Sequence, residues 1–189
     1  MQNTSFDLIV IGAGPGGYVG AIRAAQLGMN VACIDRRATL GGTCLNVGCI
    51  PSKALLNASE HFANAASGSL GNMGVSVGKV TLNLDQMMQS KSDIVGTLTG
   101  GIDFLFKKNK ITRLEGTASI IAPGKIKIAT GKDKGNYQTK KIMIATGSHA
   151  SSLPGITIDE NRIVSSTGAL SLESLPKKMA VIGAGYIGL

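Results

Sequence analysis

Tryptophan is absent from the 189 residues, and all aromatic residues together make up only 4%. That leaves no platform for stacking sugars or splayed nucleic-acid bases. Histidine occurs twice, at His61 and His149, and neither stands at a ligand spacing to a cysteine. No apolar run approaches the roughly 20 residues that a helix needs to cross a bilayer, so no membrane segment is expected. Nor does a secretory leader precede the first apolar run, Phe6 to Ile11: a charged opening and a cleavage site are both lacking. The expected setting is a reducing compartment, either the cytosol or a mitochondrial matrix reached with a transit peptide already removed. There a cysteine pair is more often catalytic or metal-binding than a structural staple.

Acidic residues are also scarce, 11 against 19 lysines and arginines, for a formal net charge of +8. Most of the excess lies between Gly101 and Lys141, where ten basic residues face only Asp103, Glu115 and Asp133. The lysines there alternate with apolar residues, as on the solvated face of a sheet. No nucleic-acid motif accompanies them, so no nucleic-acid partner is expected. Hydrophobic residues at 43% and charged residues at 16% describe a globular chain, long enough for one to one and a half domains.

Phe6 to Ile11 ends at Gly12, the pattern of a buried parallel strand. A helix is predicted from Pro15 to Leu27, stopped by Gly28, and a second strand from Val31 to Asp35. This βαβ opening implies a parallel sheet. Helical spacing recurs from Pro51 to Ala66 and from Asp85 to Lys108, with Met87 and Met88 as core filler. About four short strands are predicted between Ile111 and Ala145, with turns at Pro123-Gly124 and Lys132 to Asn136. The last of them is the apolar run Ile142 to Ala145, read as buried. A polar linker then leads to a predicted strand, Met179 to Ile182, and to a second glycine cluster.

The first cluster, Gly12, Gly14 and Gly17, fits G-x-G-x-x-G. It follows a strand, opens a helix, and has Asp35 at the end of the next strand. Gly12 allows the tight turn, Gly14 lets backbone approach a pyrophosphate, and Gly17 lets helix and strand pack closely. The helix N-terminus offers unpaired N–H groups to phosphate. Asp35 can accept hydrogen bonds from a ribose, and its charge disfavours a 2′-phosphate there. Gly183, Gly185 and Gly188 repeat the pattern at the chain's end, which implies two dinucleotide sites in a longer protein.

Between the two lies Gly41-Gly42-Thr43-Cys44-Leu45-Asn46-Val47-Gly48-Cys49-Ile50-Pro51-Ser52-Lys53. Cysteines five apart on a regular helix rise about 7.5 Å, beyond the usual reach of a disulfide. A bridge would need the irregular backbone that Gly48 can supply. Pro51 suits the first turn of a following helix, whose dipole together with Lys53 favours thiolate. Redox catalysis is the preferred reading. A metal or iron–sulfur site would have only two ligands here. Cys33, alone on a strand, reads as a small core residue.

This segment resembles the active-site signature of the pyridine nucleotide–disulfide oxidoreductases. With Leu45, Ile50, Ser52 and Ala54-Leu55-Leu56 it is most similar to the branch that oxidises dihydrolipoamide. The resemblance extends through Leu82-Asn83-Leu84-Asp85, Leu98-Thr99-Gly100-Gly101 and Ala145-Thr146-Gly147-Ser148 to the second glycine motif. It implies that Cys44 is the interchange thiol, Cys49 the charge-transfer thiolate against flavin, and Lys53 a polarising group near the flavin N5. FAD would be contacted by Gly12, Gly14, Gly16, Gly17, Asp35, Arg36, Gly42, Thr43, Cys44, Lys53 and the turn Ala145-Thr146-Gly147. Gly116 to Ala118 would lie by the adenine, with Ala118 where the family often has glycine. Gly183, Gly185 and Gly188 would open an NAD site, and Tyr186 would cover the flavin.

The fold expected is α/β: a Rossmann-like FAD-binding domain (1–148) with a small antiparallel meander, then a linker and the start of a second Rossmann-like, NAD-binding domain (149–189). The implied partners are dihydrolipoamide on a lipoyl-bearing acyltransferase of a 2-oxoacid dehydrogenase complex and a second subunit in a homodimer. The family's catalytic histidine lies near the carboxyl end, and neither His61 nor His149 matches it, so these 189 residues alone are expected not to turn over. The alternatives are a glutathione- or mercuric-reductase-like member of the family and a flavin-binding module without catalysis.

Overall fold

The computed structural model describes residues 4–188. The chain divides into two compact units, Met1–Asn46 with Gly96–Ser148, and Val47–Val95 with His149–Leu189.

The first unit is built on one six-stranded sheet. Its strands are β1 (Ser5–Ile11), β2 (Val31–Asp35), β3 (Thr112–Glu115), β4 (Thr117–Ala122), β5 (Lys125–Thr130) and β6 (Gly135–Ile144), in the order β3-β2-β1-β6-β5-β4. β1 pairs in parallel with β2 and β6, and β2 in parallel with β3. β5 pairs antiparallel with both β4 and β6. The α/β expectation holds, with four parallel strands and an antiparallel meander. Helix α1 (Pro15–Gln26) forms the crossover from β1 to β2, and its buried face consists of Gly17, Ala21 and Ala24. Small side chains there let the helix axis approach the sheet. Phe6, Ile9, Ala32, Ile34, Leu114, Ile126, Ile128 and Tyr137 form the core cluster. β5 shows the expected alternation, with Ile126 and Ile128 buried and Lys125 and Lys127 exposed.

Two details of the sheet depart from expectation. The turn predicted over 132–136 is shorter, because β6 already begins at Gly135. The apolar run at the end of β6 is only half covered, with Ile144 67% exposed. β5 pairs with β6 only as far as Gln138, whereas β1 stays alongside to Ile144. The last residues of β6 therefore have a ladder on one side only.

Helix α4 (Leu84–Lys108) delivers its C-terminal part to this unit, where Thr99, Ile102 and Phe106 are buried. Lys107 and Lys108 in its last turn complement the helix dipole. The chain reverses through Lys110, at φ 56°, into β3.

The second unit is helical. It contains α3 (Cys49–Ala66), a 3₁₀ segment (Ser69–Met73), the first part of α4, and α5 (Ser166–Ala169). Asn83 caps α4 by accepting the Gln86 amide at 3.0 Å. Lys91 Nζ donates to the Leu170 carbonyl at 2.7 Å, tying α4 to the end of α5. Met87 and Met88 are half-buried. Within the expected linker, Ser165 caps α5 through the Thr167 amide at 3.1 Å.

The predicted strand Met179 to Ile182 does not form. No described strand pairs with it, and Val181 and Ile182 are 58% and 77% exposed. An extended apolar segment becomes a strand only when a neighbour takes up its backbone hydrogen bonds.

Candidate functional site

At the C-terminal ends of β1, β2 and β6 the first unit gathers four stretches distant in sequence. The first glycine loop is their centre. Gly12 leaves β1 at φ 101°, and a Cβ there would lie 2.7 Å from the Ala145 carbonyl carbon and 3.1 Å from Thr146 Cα. Ala145 in turn donates its amide to the Ile11 carbonyl at 2.8 Å. Only a glycine admits this approach, so the loop and the Ala145-Thr146-Gly147 turn are held backbone to backbone. A Cβ on Gly17 would lie 2.8 Å from the Gly12 carbonyl carbon, as expected for close helix–strand packing.

Gly14 is the N-cap of α1. No side chain caps it, Pro15 takes the first helical position, and the first turn carries no acid. The helix N-terminus therefore presents backbone donors and an uncompensated positive dipole end. A Cβ on Gly16 would meet nothing within 4 Å, so the space over this turn is open. This is a cradle suited to a dinucleotide pyrophosphate.

Asp35, at the end of β2, is anchored rather than pendant. Its Oδ2 accepts the Ala13 amide at 2.7 Å and its Oδ1 accepts the Arg37 amide at 2.9 Å. Gly116 donates its amide to the Asp35 carbonyl at 2.9 Å, which brings the start of β4 beside this carboxylate. Ala118 pairs with Ile128 and packs, half-buried, against the core cluster. Arg36 is exposed.

The fourth stretch precedes Cys44. Gly41 donates its amide to the Ala13 carbonyl at 2.9 Å. A Cβ on Gly42, which has φ 59°, would lie 2.5 Å from Gly14 Cα and 3.0 Å from Gly14 N. Helix α2 (Gly42–Val47) thus starts in contact with the first glycine loop, with Thr43 exposed and Cys44 half-buried. Gly48 breaks the chain between α2 and α3 with φ −143° and ψ −113°, the irregularity expected there. Cys49 opens α3 and is exposed; Lys53, one turn on, is exposed as well, and Pro51 is buried in the first turn. Cys49 and Lys53 belong to the second unit.

Cys33 is fully buried, and burial first, then the nearby Asp35 charge, pushes its thiol up to about 12. It is a core residue, as expected. Gly183, Gly185, Tyr186 and Gly188 also lie in the second unit. Gly188 donates its amide to the Gly185 carbonyl at 2.9 Å, in a turn without a strand before it, and Tyr186 is 91% exposed. His61 and His149 are both exposed. No helix among the described residues is long and apolar enough to cross a membrane.

Three supporting residues were not foreseen. Asn46 binds the turn before Cys44, with Thr39 behind it. Arg113, counted from sequence only as part of the basic excess, bridges Asp103 at 3.1 Å and the Ala38 carbonyl. Their only sequence signal is a polar residue between two cysteines and an arginine opening a strand, too common to single out.

The model of the pyridine nucleotide-disulphide oxidoreductase family matches residues 6–189. The chain is 55% identical to the mitochondrial dihydrolipoyl dehydrogenase of Homo sapiens over 100% of its own length and 37% of that protein's. It is likewise 55% identical to dihydrolipoyl dehydrogenase 1 of Arabidopsis thaliana, over 97% of this chain and 36% of the relative. Leghemoglobin reductase of Glycine max is 55% identical over 97% of this chain and 35% of its own. The chain thus spans little more than a third of the length of these relatives. Among solved structures, the HOCl-induced flavoprotein disulfide reductase of Escherichia coli, determined as a Cu(II) complex of a cysteine-to-serine mutant, superposes with a TM-score of 0.80. It shares 26% identity, over 99% of this chain and 38% of that one. The chain belongs to the pyridine nucleotide-disulphide oxidoreductase family.

Proposed function

We propose that this chain is the FAD-binding, redox-active part of a dihydrolipoamide dehydrogenase. The observation that carries the reading is the meeting, within one unit, of the first glycine loop, Asp35 and the Gly41-Gly42 turn that leads to Cys44. A glycine loop alone would fit many nucleotide proteins. A glycine loop in backbone contact with a redox cysteine segment fits far fewer.

In this reading the uncapped N-terminus of α1 takes the pyrophosphate, with Gly14 and Gly16 allowing close approach. Asp35, already oriented by Ala13 and Arg37, uses its remaining lone pairs for the ribose hydroxyls. Gly116 and Ala118 border the adenine, and the Ala145-Thr146-Gly147 turn and Thr43 complete the cradle. Cys44 and Cys49, both free thiols in this structure, would form a disulfide in the oxidised protein. A substrate thiolate attacks Cys44 Sγ, the Cys44–Cys49 bond breaks, and Cys49 leaves as thiolate. The second substrate thiol then displaces Cys44 from the mixed disulfide, so two electrons and two protons pass from dithiol to the cysteine pair. Cys49, on the first turn of α3, gains from the helix dipole and from Lys53 as it leaves. FAD, when bound, would supply the two-electron relay to NAD⁺. Residues 1–148 would form the first FAD segment, and 149–189 the start of an NAD domain opened by Gly183, Gly185 and Gly188, with Tyr186 at the nicotinamide entrance.

The 55% identity to dihydrolipoyl dehydrogenases supports dihydrolipoamide as substrate, the lipoyl domain of a 2-oxoacid dehydrogenase complex as partner, and a homodimer as the working form. The relatives named mitochondrial support a matrix location over the cytosol. Similarity to a leghemoglobin reductase supports a second reading, in which the electrons leave to a protein acceptor instead.

The first test is the visible absorption spectrum of the purified 189-residue chain after incubation with FAD. Retained flavin absorption, changing to a long-wavelength charge-transfer shoulder on addition of a dithiol, supports the reading. A colourless chain, together with an intact protein whose flavin shows no such shoulder, overturns it. The chain alone is expected to produce no NADH from dihydrolipoamide, because neither His61 nor His149 matches the family's catalytic histidine near the carboxyl end.

A further inference from the structure

We propose that Asn46 is a positioning residue for the Cys44 thiol, acting by locking the turn that carries Cys44 onto the first glycine loop. The proposal rests on the redox reading above. All three hydrogen-bonding groups of the Asn46 side-chain amide are engaged. Nδ2 donates both its protons, to the Leu40 carbonyl at 3.0 Å and to the Gly42 carbonyl at 2.8 Å. Oδ1 accepts from Thr39 Oγ1 at 2.6 Å. Two of these partners are carbonyls that can only accept, so the amide has one workable orientation.

These bonds close an eight-residue ring, 39–46, around the Gly41-Gly42 turn. Both glycines have positive φ, 101° and 59°, so the chain enters α2 through a non-helical turn that has one long helix-type bond, from the Leu45 amide to the Gly41 carbonyl at 3.3 Å. The carbonyls of Leu40 and Gly42 flank that turn, and Asn46 clamps both. Leu40 is buried, with 2% exposure, and Gly42 is buried against Gly14. Cys44 lies inside the ring, between the clamped Gly42 and Asn46 itself. Shifting Gly42 moves the thiol relative to the glycine loop. Thiol–disulfide exchange requires three sulfurs in line, so its rate is sensitive to such a shift.

Thr39 has the complementary role. Its hydroxyl donates to the amide oxygen and holds the oriented group in place. Losing it leaves both clamping bonds in place but removes the partner of the amide oxygen.

The test uses the intact protein in its oxidised form. Dithiothreitol, a dithiol that does not depend on the identity of the natural substrate, opens the Cys44–Cys49 bridge. Alkylation and mass spectrometry of the two cysteine peptides follow the reaction. Asn46→Ala and Asn46→Asp are expected to slow opening roughly tenfold or more, while flavin content and the alkylation rate of Cys49 in prereduced protein stay as in wild type. Thr39→Val should slow opening by a smaller factor, and it keeps the test intact if the Asn46 variants fail to fold. Opening at the wild-type rate in all three variants overturns the proposal. So does a loss of flavin with faster alkylation of both cysteines, since that marks general loosening. If the wild-type protein contains no Cys44–Cys49 bridge at all, the redox reading itself fails, an outcome distinct from the other two.

Discussion

The carboxylate of Asp35 accepts the backbone amide of Ala13 at 2.7 Å, a bond spanning 22 positions of sequence. It fastens the end of β2 to the middle residue of the first glycine turn. The acid proposed to receive a ribose thus also shapes the loop proposed to receive a pyrophosphate, so the two halves of the proposed site are joined by a direct bond.

Replacing Asp35 should therefore do two kinds of harm. In Asp35→Ala the Ala13 and Arg37 amides lose their acceptor, at a cost of about 1–3 kcal/mol per group left unsatisfied. Urea unfolding should show that loss with no ligand present, and FAD titration should show a further loss of affinity. A variant with wild-type stability would mean that water replaces the carboxylate fully.

Glycines in the same loop should respond differently to one methyl group. Gly12→Ala drives a Cβ into the Ala145 backbone and holds an alanine at φ 101°, so a destabilisation of roughly 2 kcal/mol or more is expected. Gly16→Ala meets no atom within 4 Å. It sits in the first turn of α1, so thermal stability should be unchanged or raised by up to ~1 kcal/mol. Calorimetry of the two variants checks the contrast.

The buried Cys33 thiol should be chemically silent in the native protein. Its pKa is raised from 9.0 to about 12 by burial, so the folded state keeps the proton where the unfolded state has lost it. Its contribution to stability is complete below pH 9 and is lost as pH rises from there towards 12, by about 1.4 kcal/mol per unit. Urea unfolding of wild type and Cys33→Ala between pH 8 and 10.5 should show the wild-type curve falling more steeply. Iodoacetamide at pH 8 should label Cys44 and Cys49 after reduction, and Cys33 only in denaturant.

Arg113 should matter more than a solvated basic residue. Arg113→Ala breaks its bonds to Asp103 and the Ala38 carbonyl and unties α4 and the 36–39 loop from β3. Both side chains are about a third exposed, so screening limits the loss to roughly 1 kcal/mol. A chemical-denaturation midpoint equal to that of Lys125→Ala, a change on the solvated face of β5, would contradict this role.

Much of this was legible in the residues. The run Phe6 to Ile11, the helix opened by Pro15 and the strand Val31 to Asp35 are written in local periodicity and punctuation, and the structure places all three within a residue of expectation. The alternation of lysine and isoleucine along β5 likewise reports one buried and one solvated face. The glycine spacing and the Cys44 to Lys53 segment nominated candidate site residues because each motif is local and its chemistry depends on spacing. The strand expected over 179–182 failed for the same reason that the others succeeded. Apolar composition states what a segment can bury, whereas a strand exists only if another strand is there to pair with it.

The sequence by itself determined most of the elements and the class of the sheet, and it nominated the candidate reactive groups, because φ/ψ preference, capping and side-chain periodicity act over a few residues. Only the tertiary structure decided that Gly42 rests on Gly14, that Ala145 closes over Gly12, that Gly116 lies beside Asp35 and that Asn46 clamps the turn before Cys44. Those contacts join positions up to more than a hundred residues apart. They depend on strand order and on close backbone approach, which no local pattern encodes.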